Sequence, residues 1–126
     1  MDLRKALIVD LLTDLLAPAA VYERNDPHVR ALEGLPRQTG WLRGAHDPIV
    51  EIREGPARFL VDVAGGQKTG FFLDQRENRL AVSALLKDGE VFDGCCYSGA
   101  FAIHAAVGGA RHVAAVDSSA DALRLA

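Results

Sequence analysis

Residues 66–79, GQKTGFFLDQRENR, combine polar side chains that are able to recognise a ligand. Lys68 and Arg76 supply positive charge, Thr69 supplies a hydroxyl group, and amides and acids surround two adjacent phenylalanines. The stretch holds no Cys or His that could bind a metal, and no nucleophile stands beside a base. These residue types therefore indicate binding of an anionic group, with no catalytic residue or metal ligand among them.

A helix is predicted directly after this stretch, over RLAVSALLKDG, ending at Gly89. Asp74 has the residue type of an N-cap, and Glu77 stands three positions later as its capping-box partner. Lys68 and Thr69 then lie just upstream of the helix start, where free backbone N–H groups and the helix dipole favour an anion.

The rest of the chain alternates between strand and helix. EVFDGCCYS and HVAAVDSS are predicted strands, while GAFAIHAAVGGA and ADALRLA are predicted helices. This order is typical of the beginning of a doubly wound parallel sheet, which binds ligands at the carboxyl ends of its strands. Asp93 and Asp117 end the two strands, and Gly99 lets a ligand approach the helix start. The alternative is that both aspartates are solvated turn residues and helix caps.

The ligand predicted for this edge is S-adenosylmethionine. The dinucleotide fingerprint G-x-G-x-x-G is absent from DGCCYSGAF, which disfavours a nicotinamide-dependent oxidoreductase. An acid at Asp93 suits a cationic group and is unfavourable beside a pyrophosphate. Asp117 is placed to hold the two hydroxyls of a ribose, while Lys68 and Thr69 are placed to hold a carboxylate.

Upstream elements are less regular. A helix is predicted over residues 3–16, ended by Pro18, and a short strand AVYERND leads to a turn at Asn25-Asp26-Pro27. The segment from His28 to Pro48 lacks periodicity and is predicted to be a connection, with Trp41 as its aromatic anchor. IVEIREGPARFLVDV is predicted to be a β-hairpin.

Bulk composition restricts the class of protein. The net charge of −3 argues against a non-specific polyanion binder, and no apolar run is long enough to span a membrane. The adjacent Cys95 and Cys96 cannot staple distant segments or form a zinc site, which favours a cytoplasmic protein. Neither cysteine has an evident base beside it, so a structural role is favoured over a nucleophilic one.

Three segments carry a family resemblance: VYERNDPHVRALEGLPRQTGWLRG, GQKTGFFLDQRENR and VFDGCCYSGAFAIHAAVGGARHVAAVDSSADAL. In this order they resemble class I S-adenosylmethionine-dependent methyltransferases that modify cytosine C5 of large-subunit ribosomal RNA (the RlmI type). The resemblance covers roughly residues 20–126. It implies the cofactor S-adenosylmethionine and the substrate ribosomal RNA.

The fold class implied is α/β: a small α+β central domain with a β-hairpin, then the first β-α-β-α of a Rossmann-like methyltransferase sheet. We expect the central domain over residues 1–65, the cofactor-site loop and linking helix over 66–88, and the start of the methyltransferase domain over 89–126. The sheet is expected to be incomplete, the chain to be a fragment, and the family's catalytic cysteine to lie outside it.

Two residues depart from the family turn. Cys95 stands where a Phe is usual, and Ala100 stands where a second Gly is usual. We expect a packing gap at the first position and, at the second, a methyl group that either crowds the cofactor or points into the sheet. The alternative function is a non-catalytic remnant, or a module that binds RNA or a protein partner. An unpaired sheet edge also predicts a homodimer.

Overall fold

The computed structural model describes residues 2–25 and 29–126. Its helices are a 3-10 turn Asp2–Arg4, α1 Lys5–Leu16, α2 Val29–Leu32, a 3-10 turn Leu73–Gln75, α3 Arg76–Leu85, α4 Ala100–Val107 and α5 Ala120–Leu123. Its strands are β1 Val21–Asn25, β2 Gln38–Arg43, β3 Ile49–Glu54, β4 Ala57–Asp62, β5 Glu90–Gly94 and β6 His112–Val116. Asp26 and Pro27 of the predicted turn, like His28, lie outside the described residues.

The chain forms two compact units with the boundary between Pro48 and Ile49. The hairpin, α3 and the β5-to-α5 segment belong to the second unit. The three-segment division at residues 65 and 88 stays a prediction.

In the first unit, the predicted N-terminal helix is confirmed as α1. Ala17 ends it in the left-handed conformation with φ 43°, and its N–H donates to the Thr13 carbonyl. This arrangement satisfies one of the carbonyls that a helix end leaves free, and Pro18 follows. Of the described α1 residues only Val9 is buried, and the leucine face of α1 is exposed.

The predicted connection from His28 to Pro48 contains regular structure. β2 pairs antiparallel with β1, from Val21 opposite Arg43 to Asn25 opposite Gln38. Trp41 lies in β2, where its ring packs edge-on against Tyr22 with centroids 4.8 Å apart. The prediction of an irregular connection with a loop tryptophan is therefore wrong for β2.

In the second unit, the predicted hairpin is confirmed. β3 and β4 pair antiparallel from Ile49 opposite Asp62 to Glu54 opposite Ala57. Alternate β4 residues Ala57, Phe59 and Val61 are buried and form the hydrophobic core with Phe71. This alternation is the period-two pattern of a strand with one buried face.

The predicted β-α-β-α order is also confirmed. β5 and β6 are parallel, from Glu90 opposite His112 to Gly94 opposite Val116, and α4 connects them. Ala100 and Ile103 of α4 pack against the hairpin core. The carboxyl ends of β5 and β6 therefore lie side by side, next to the start of α4.

The helix after the GQKTG stretch differs from prediction at both ends. Asp74 lies within the 3-10 turn and makes no capping hydrogen bond, because the turn begins after Phe72 and α3 begins after Gln75. The prediction of Asp74 as an N-cap is therefore wrong. α3 ends at Leu85 instead of Gly89, since Leu86 already has a φ of −103° and Gly89 donates back to the Leu86 carbonyl in a turn.

Among the described residues, no helix combines the length and the apolarity that crossing a bilayer requires.

Candidate functional site

The turn between β5 and α4 is held in an uncommon backbone conformation. Cys95, Tyr97 and Gly99 all have positive φ angles, of 62°, 52° and 70°. Positive φ is uncommon for residues other than glycine, and such strained turns cluster at functional sites. Gly99 precedes the first residue of α4 and is buried.

Two hydrogen bonds, from Tyr97 and Cys96, tie this turn to the end of β6. The Asp117 carboxylate, directly after β6, accepts the N–H of Tyr97 at 2.7 Å, and it also accepts the N–H of Ser119 at 2.8 Å. The N–H of Cys96 donates to the Val116 carbonyl at 3.0 Å. The backbone bonds from Ser119 and Tyr97 lower the pKa of Asp117, so this side chain is an anion at neutral pH with lone pairs left to accept further hydrogen bonds.

Asp93 lies near the end of β5, just before the turn, and its carboxylate accepts the N–H of Ala102 at 3.0 Å. It thus satisfies a donor in the first turn of α4, as an N-terminal helix cap does. Burial raises the pKa of Asp93, the Ala102 bond opposes this shift, and the charge of Asp117 adds to it. The structure therefore gives both aspartates local capping bonds, and these bonds leave room for a ligand at Asp117.

The loop of residues 66–72 approaches the same turn. The Tyr97 hydroxyl accepts the N–H of Gln67 at 2.8 Å and lies 3.4 Å from the Gly70 carbonyl oxygen. Lys68 is exposed, with its Nζ atom 3.4 Å from Asp74 and 4.4 Å from the centre of the Phe72 ring. Tyr97 is thus the side chain that joins the loop to the turn.

Thr69 differs in its surroundings. Its hydroxyl oxygen lies 3.3 Å from the Phe71 carbonyl oxygen, to which it donates. The Thr69 hydroxyl is therefore hydrogen-bonded to the backbone of its own loop.

Two neighbouring cavities share Cys95 and Tyr97. The first, of about 360 Å³, is lined by Lys68, Phe72, Ser98 and Phe101 among others. The second, of about 430 Å³, is lined by Gln67, Val116, Asp117 and Ser118 besides the two shared residues. The structure thus places Lys68 at one cavity and Asp117 at the other, on either side of the turn.

Sequence reasoning missed Ser98. This residue is only 2% exposed, and its hydroxyl has no hydrogen-bond partner among the described residues. A buried hydroxyl without a partner costs about 1–3 kcal/mol, which a ligand in the first cavity can recover. A hydroxyl residue directly before the helix-start Gly99 is the sequence signal that could have indicated it.

Cys95 and Cys96 do not form a nucleophile site. Cys96 is buried, and burial together with the charges of Asp93 and Asp117 raises the pKa of its thiol, which disfavours the reactive thiolate. Cys95 is exposed and lines both cavities, and the packing gap expected at this departure from the family turn stays a prediction. The methyl group of Ala100 packs against the hairpin core.

Arg79, the last residue of the stretch from 66 to 79, is buried. Its side chain is 1% exposed and forms two bonds of 2.7 Å to the Glu54 carboxylate. His104 Nε2 lies 2.9 Å from the same carboxylate. Arg76, the other predicted cation of the stretch, is exposed.

Acidification is expected to weaken the second unit through Glu54. The hydrogen bonds and charge of Arg79, with a smaller effect of His104, hold the pKa of Glu54 below its usual value of 4.5. The stabilisation from Glu54 is therefore complete above that value and is lost as the pH falls through the lower pKa of the folded state. Unfolding free energies from about pH 6 to pH 3 measure this loss.

The comparison variant is Glu54→Gln, which removes the titrating group and leaves other carboxylates in place. Its unfolding free energy should decline less steeply with acidification than that of the wild type. Equal slopes for the two proteins would contradict a stabilising role of the ionised Glu54.

Three curated relatives share this sequence over almost its whole length, and each is named ribosomal RNA large subunit methyltransferase I. The protein of Aeromonas hydrophila is 39% identical over 99% of this chain and 32% of its own length. The protein of Klebsiella pneumoniae is 40% identical over 99% and 32%, and that of Tolumonas auensis is 42% identical over 94% and 30%. The chain is homologous to these methyltransferases. The family resemblance is thereby confirmed, and the chain spans about a third of the length of the curated relatives it matches.

Solved structures agree on the fold. A protein of Streptococcus mutans, provisionally described as a SAM-dependent methyltransferase, matches with a TM-score of 0.76 and 23% identity, over 98% of this chain and 31% of that one. A protein provisionally described as a methyltransferase, in complex with SAH, matches with a TM-score of 0.76 and 24% identity over the same shares. The predicted α/β methyltransferase fold is therefore confirmed. No protein-family model matches the chain.

Proposed function

We propose that this chain is part of an S-adenosylmethionine-dependent methyltransferase of large-subunit ribosomal RNA, and that it carries a portion of the cofactor site. The homologous relatives bear the name of this activity. The modification of cytosine C5, and a cytoplasmic location, follow from the sequence resemblance and belong to the same proposal. The segment of residues 66–88 serves as the cofactor loop and linking helix.

The cofactor spans both cavities. Its carboxylate lies in the first cavity, near the cation of Lys68, the hydroxyl of Ser98 and the start of α4. Thr69, which follows Lys68 in the loop, would have to release the Phe71 carbonyl to contribute its hydroxyl. Its ribose lies in the second cavity, where the anionic Asp117 accepts the hydroxyls. The turn from Asp93 to Gly99 lies between the carboxylate part and the ribose part of the cofactor. S-adenosylmethionine has the carboxylate, the ribose and the cationic centre that this arrangement of charges suits.

The observation that carries the proposal is the unpartnered hydroxyl of Ser98. The hydroxyl is buried, and Ser98 lines a cavity that also has Lys68 on its wall and stands two positions before the first residue of α4. A carboxylate there would give the hydroxyl an acceptor, and the ammonium of Lys68 and the free N–H groups of the helix start favour an anion at the same place.

Replacement of Ser98 by alanine is expected to weaken binding of S-adenosylmethionine by about 10- to 100-fold, because a hydrogen bond to a charged group contributes about 1.5–3 kcal/mol. The same change is expected to leave stability unchanged or slightly raised, since it removes a buried polar group without a partner. Calorimetric titration and thermal melting of the 126-residue chain measure the two effects.

The matched control is Ser83→Ala in α3, whose hydroxyl donates to the Leu80 carbonyl of its own helix. This variant should bind like the wild type. If Ser98→Ala also binds like the wild type, the hydroxyl does not contact the cofactor. If the folded wild-type chain binds no S-adenosylmethionine, the alternative of a non-catalytic module that binds RNA or a partner is favoured.

The sheet of the second unit is also the surface to which the homodimer prediction refers. β5 and β6 form a two-stranded sheet, and Phe92 of β5 is 71% exposed. An exposed edge with an apolar side chain favours pairing with another strand. The pairing of two copies through this edge stays a prediction.

A further inference from the structure

Three ionisable side chains meet in the interior of the second unit. Arg79 of α3 forms two bonds of 2.7 Å to Glu54 at the end of β3, and His104 of α4 lies 2.9 Å from the same carboxylate. All three side chains are less than 10% exposed, at 1%, 6% and 3%. The cluster therefore connects the hairpin with both helices that flank the candidate site.

Stability alone is a weak reason for such a cluster. Taking charges out of water is costly, and apolar side chains of similar volume often stabilise a core equally well or better. The charged cluster adds a fixed orientation of the Arg79 guanidinium. The guanidinium is planar with donors at fixed angles, so a two-bond pairing with Glu54 fixes where its remaining N–H groups point.

One of those N–H groups reaches the loop of the candidate site. Arg79 Nη1 donates to the Phe72 carbonyl at 2.9 Å, and the guanidinium carbon lies 4.7 Å from the centre of the Phe71 ring. Phe72 is the residue at which the 3-10 turn begins. Arg79 thus fixes the backbone at the point where the loop becomes helix.

Phe72 in turn forms part of the wall of the first cavity. Its ring packs edge-on against Tyr97 with centroids 5.6 Å apart, and Lys68 Nζ lies 4.4 Å from the ring centre. Phe72, Tyr97 and Lys68 all line the cavity onto which Ser98 faces. A shift of the Phe72 backbone would therefore move the wall and the cation together.

We infer that Arg79 is a positioning residue for cofactor binding, which it supports by holding the Phe72 carbonyl while Glu54 and His104 hold its guanidinium in place. This inference rests on the proposed binding of S-adenosylmethionine in the cavity. Arg79 is also among the residues that line the first cavity, but the role inferred here is support of the Phe72 carbonyl and not a bond to the cofactor.

Two single variants separate this role from a purely structural one. Both Glu54→Gln and Arg79→Lys break the two-bond ion pair, but only Arg79→Lys removes the guanidinium that donates to the Phe72 carbonyl, which keeps its bond from the Gln75 N–H. Both are expected to lower the melting temperature by several degrees. Calorimetric titration of S-adenosylmethionine, well below each melting temperature, should give a Kd about 10-fold higher for Arg79→Lys. The increase should be smaller, about 3-fold, for Glu54→Gln, because the amide oxygen of Gln can still accept one bond from the guanidinium. Arg58→Lys on the exposed face of β4 is the control and should match the wild type in both measurements.

A Kd for folded Arg79→Lys equal to that of Glu54→Gln would overturn the inference. If Arg79→Lys does not fold, the double variant Glu54→Gln/Arg79→Met removes both charges along with the donor, and wild-type affinity in that variant would overturn the inference in the same way. Failure of the wild-type chain to bind S-adenosylmethionine would instead reject the proposed function, so the two failures are distinguishable.

Discussion

Replacement of Arg79 by methionine is expected to destabilise the unit from Ile49 to Ala126 by about 3–5 kcal/mol. Methionine fills a similar volume, but it leaves the Glu54 carboxylate buried without its main partner and leaves the Phe72 carbonyl with the Gln75 N–H as its remaining donor. A loss of this size is a large fraction of the 5–15 kcal/mol that usually stabilises a folded domain.

Amide hydrogen exchange in β4 measures this effect within the second unit, since the most protected amides report global opening of the unit that contains them. Arg76→Met, three positions earlier on the exposed side of α3, is the matched control and should change the free energy of unfolding by less than about 0.5 kcal/mol. The double variant with Glu54→Met should recover much of the lost stability, because it replaces the whole ion pair by apolar groups. If the single Arg79 variant costs no more than its control, the ion pair does not stabilise the fold.

The parts of the fold that the sequence predicts are those with local signals. In β4, Ala57, Phe59 and Val61 alternate with exposed residues, and this alternation indicates a strand before any partner is known. The strand–helix–strand order from β5 to β6 is likewise visible in runs of apolar residues bounded by Gly94 and Gly109. Local patterns therefore predicted most of the second unit.

Elements whose structure depends on distant partners were missed. β2 shows no clean alternation, with two half-buried residues between two exposed pairs, and Gly40 interrupts it. Its strand conformation depends on pairing with β1, which lies up to 22 positions away at Val21 and Arg43. Strand preference is strongly dependent on context, and a Gly within a strand weakens the signal further.

The candidate site was predicted in the same uneven way. The predictions for Asp93, Gly99 and Asp117 rest on the strand–helix order, because the sheet topology fixes where strands end. The burial of Arg79 could not be predicted, because its partner Glu54 stands 25 positions earlier and nothing in the local pattern marks that pairing. Ser98 was missed because an unpartnered hydroxyl is a property of packing, which appears only once the turn has its conformation.

Replacement of Gly70 by alanine is expected to destabilise the loop of residues 66–72 and to weaken ligand binding. Gly70 has a φ of +92°, and an added Cβ would lie 2.4 Å from the Asp62 carbonyl oxygen and 2.7 Å from Val61 Cγ1. A carbon atom cannot approach backbone oxygen this closely, so the loop must leave β4. Residues 66–72 would then lose their contact with Tyr97. We expect a loss of roughly 2–4 kcal/mol in the free energy of unfolding, and weakening of S-adenosylmethionine binding by more than about 10-fold.

Gly55→Ala isolates the cause of that effect. Gly55 also has a positive φ, of +59°, but an added Cβ there meets no atom within 4 Å. Both alanine variants thus carry the strain of a left-handed residue, about 1–2 kcal/mol, and only Gly70→Ala carries the collision with β4. Hydrogen exchange in β4 and calorimetric titration of the two variants separate strain from collision. Binding by Gly70→Ala as tight as that of Gly55→Ala would mean that the close contact between this loop and β4 is not what shapes the cofactor cavity.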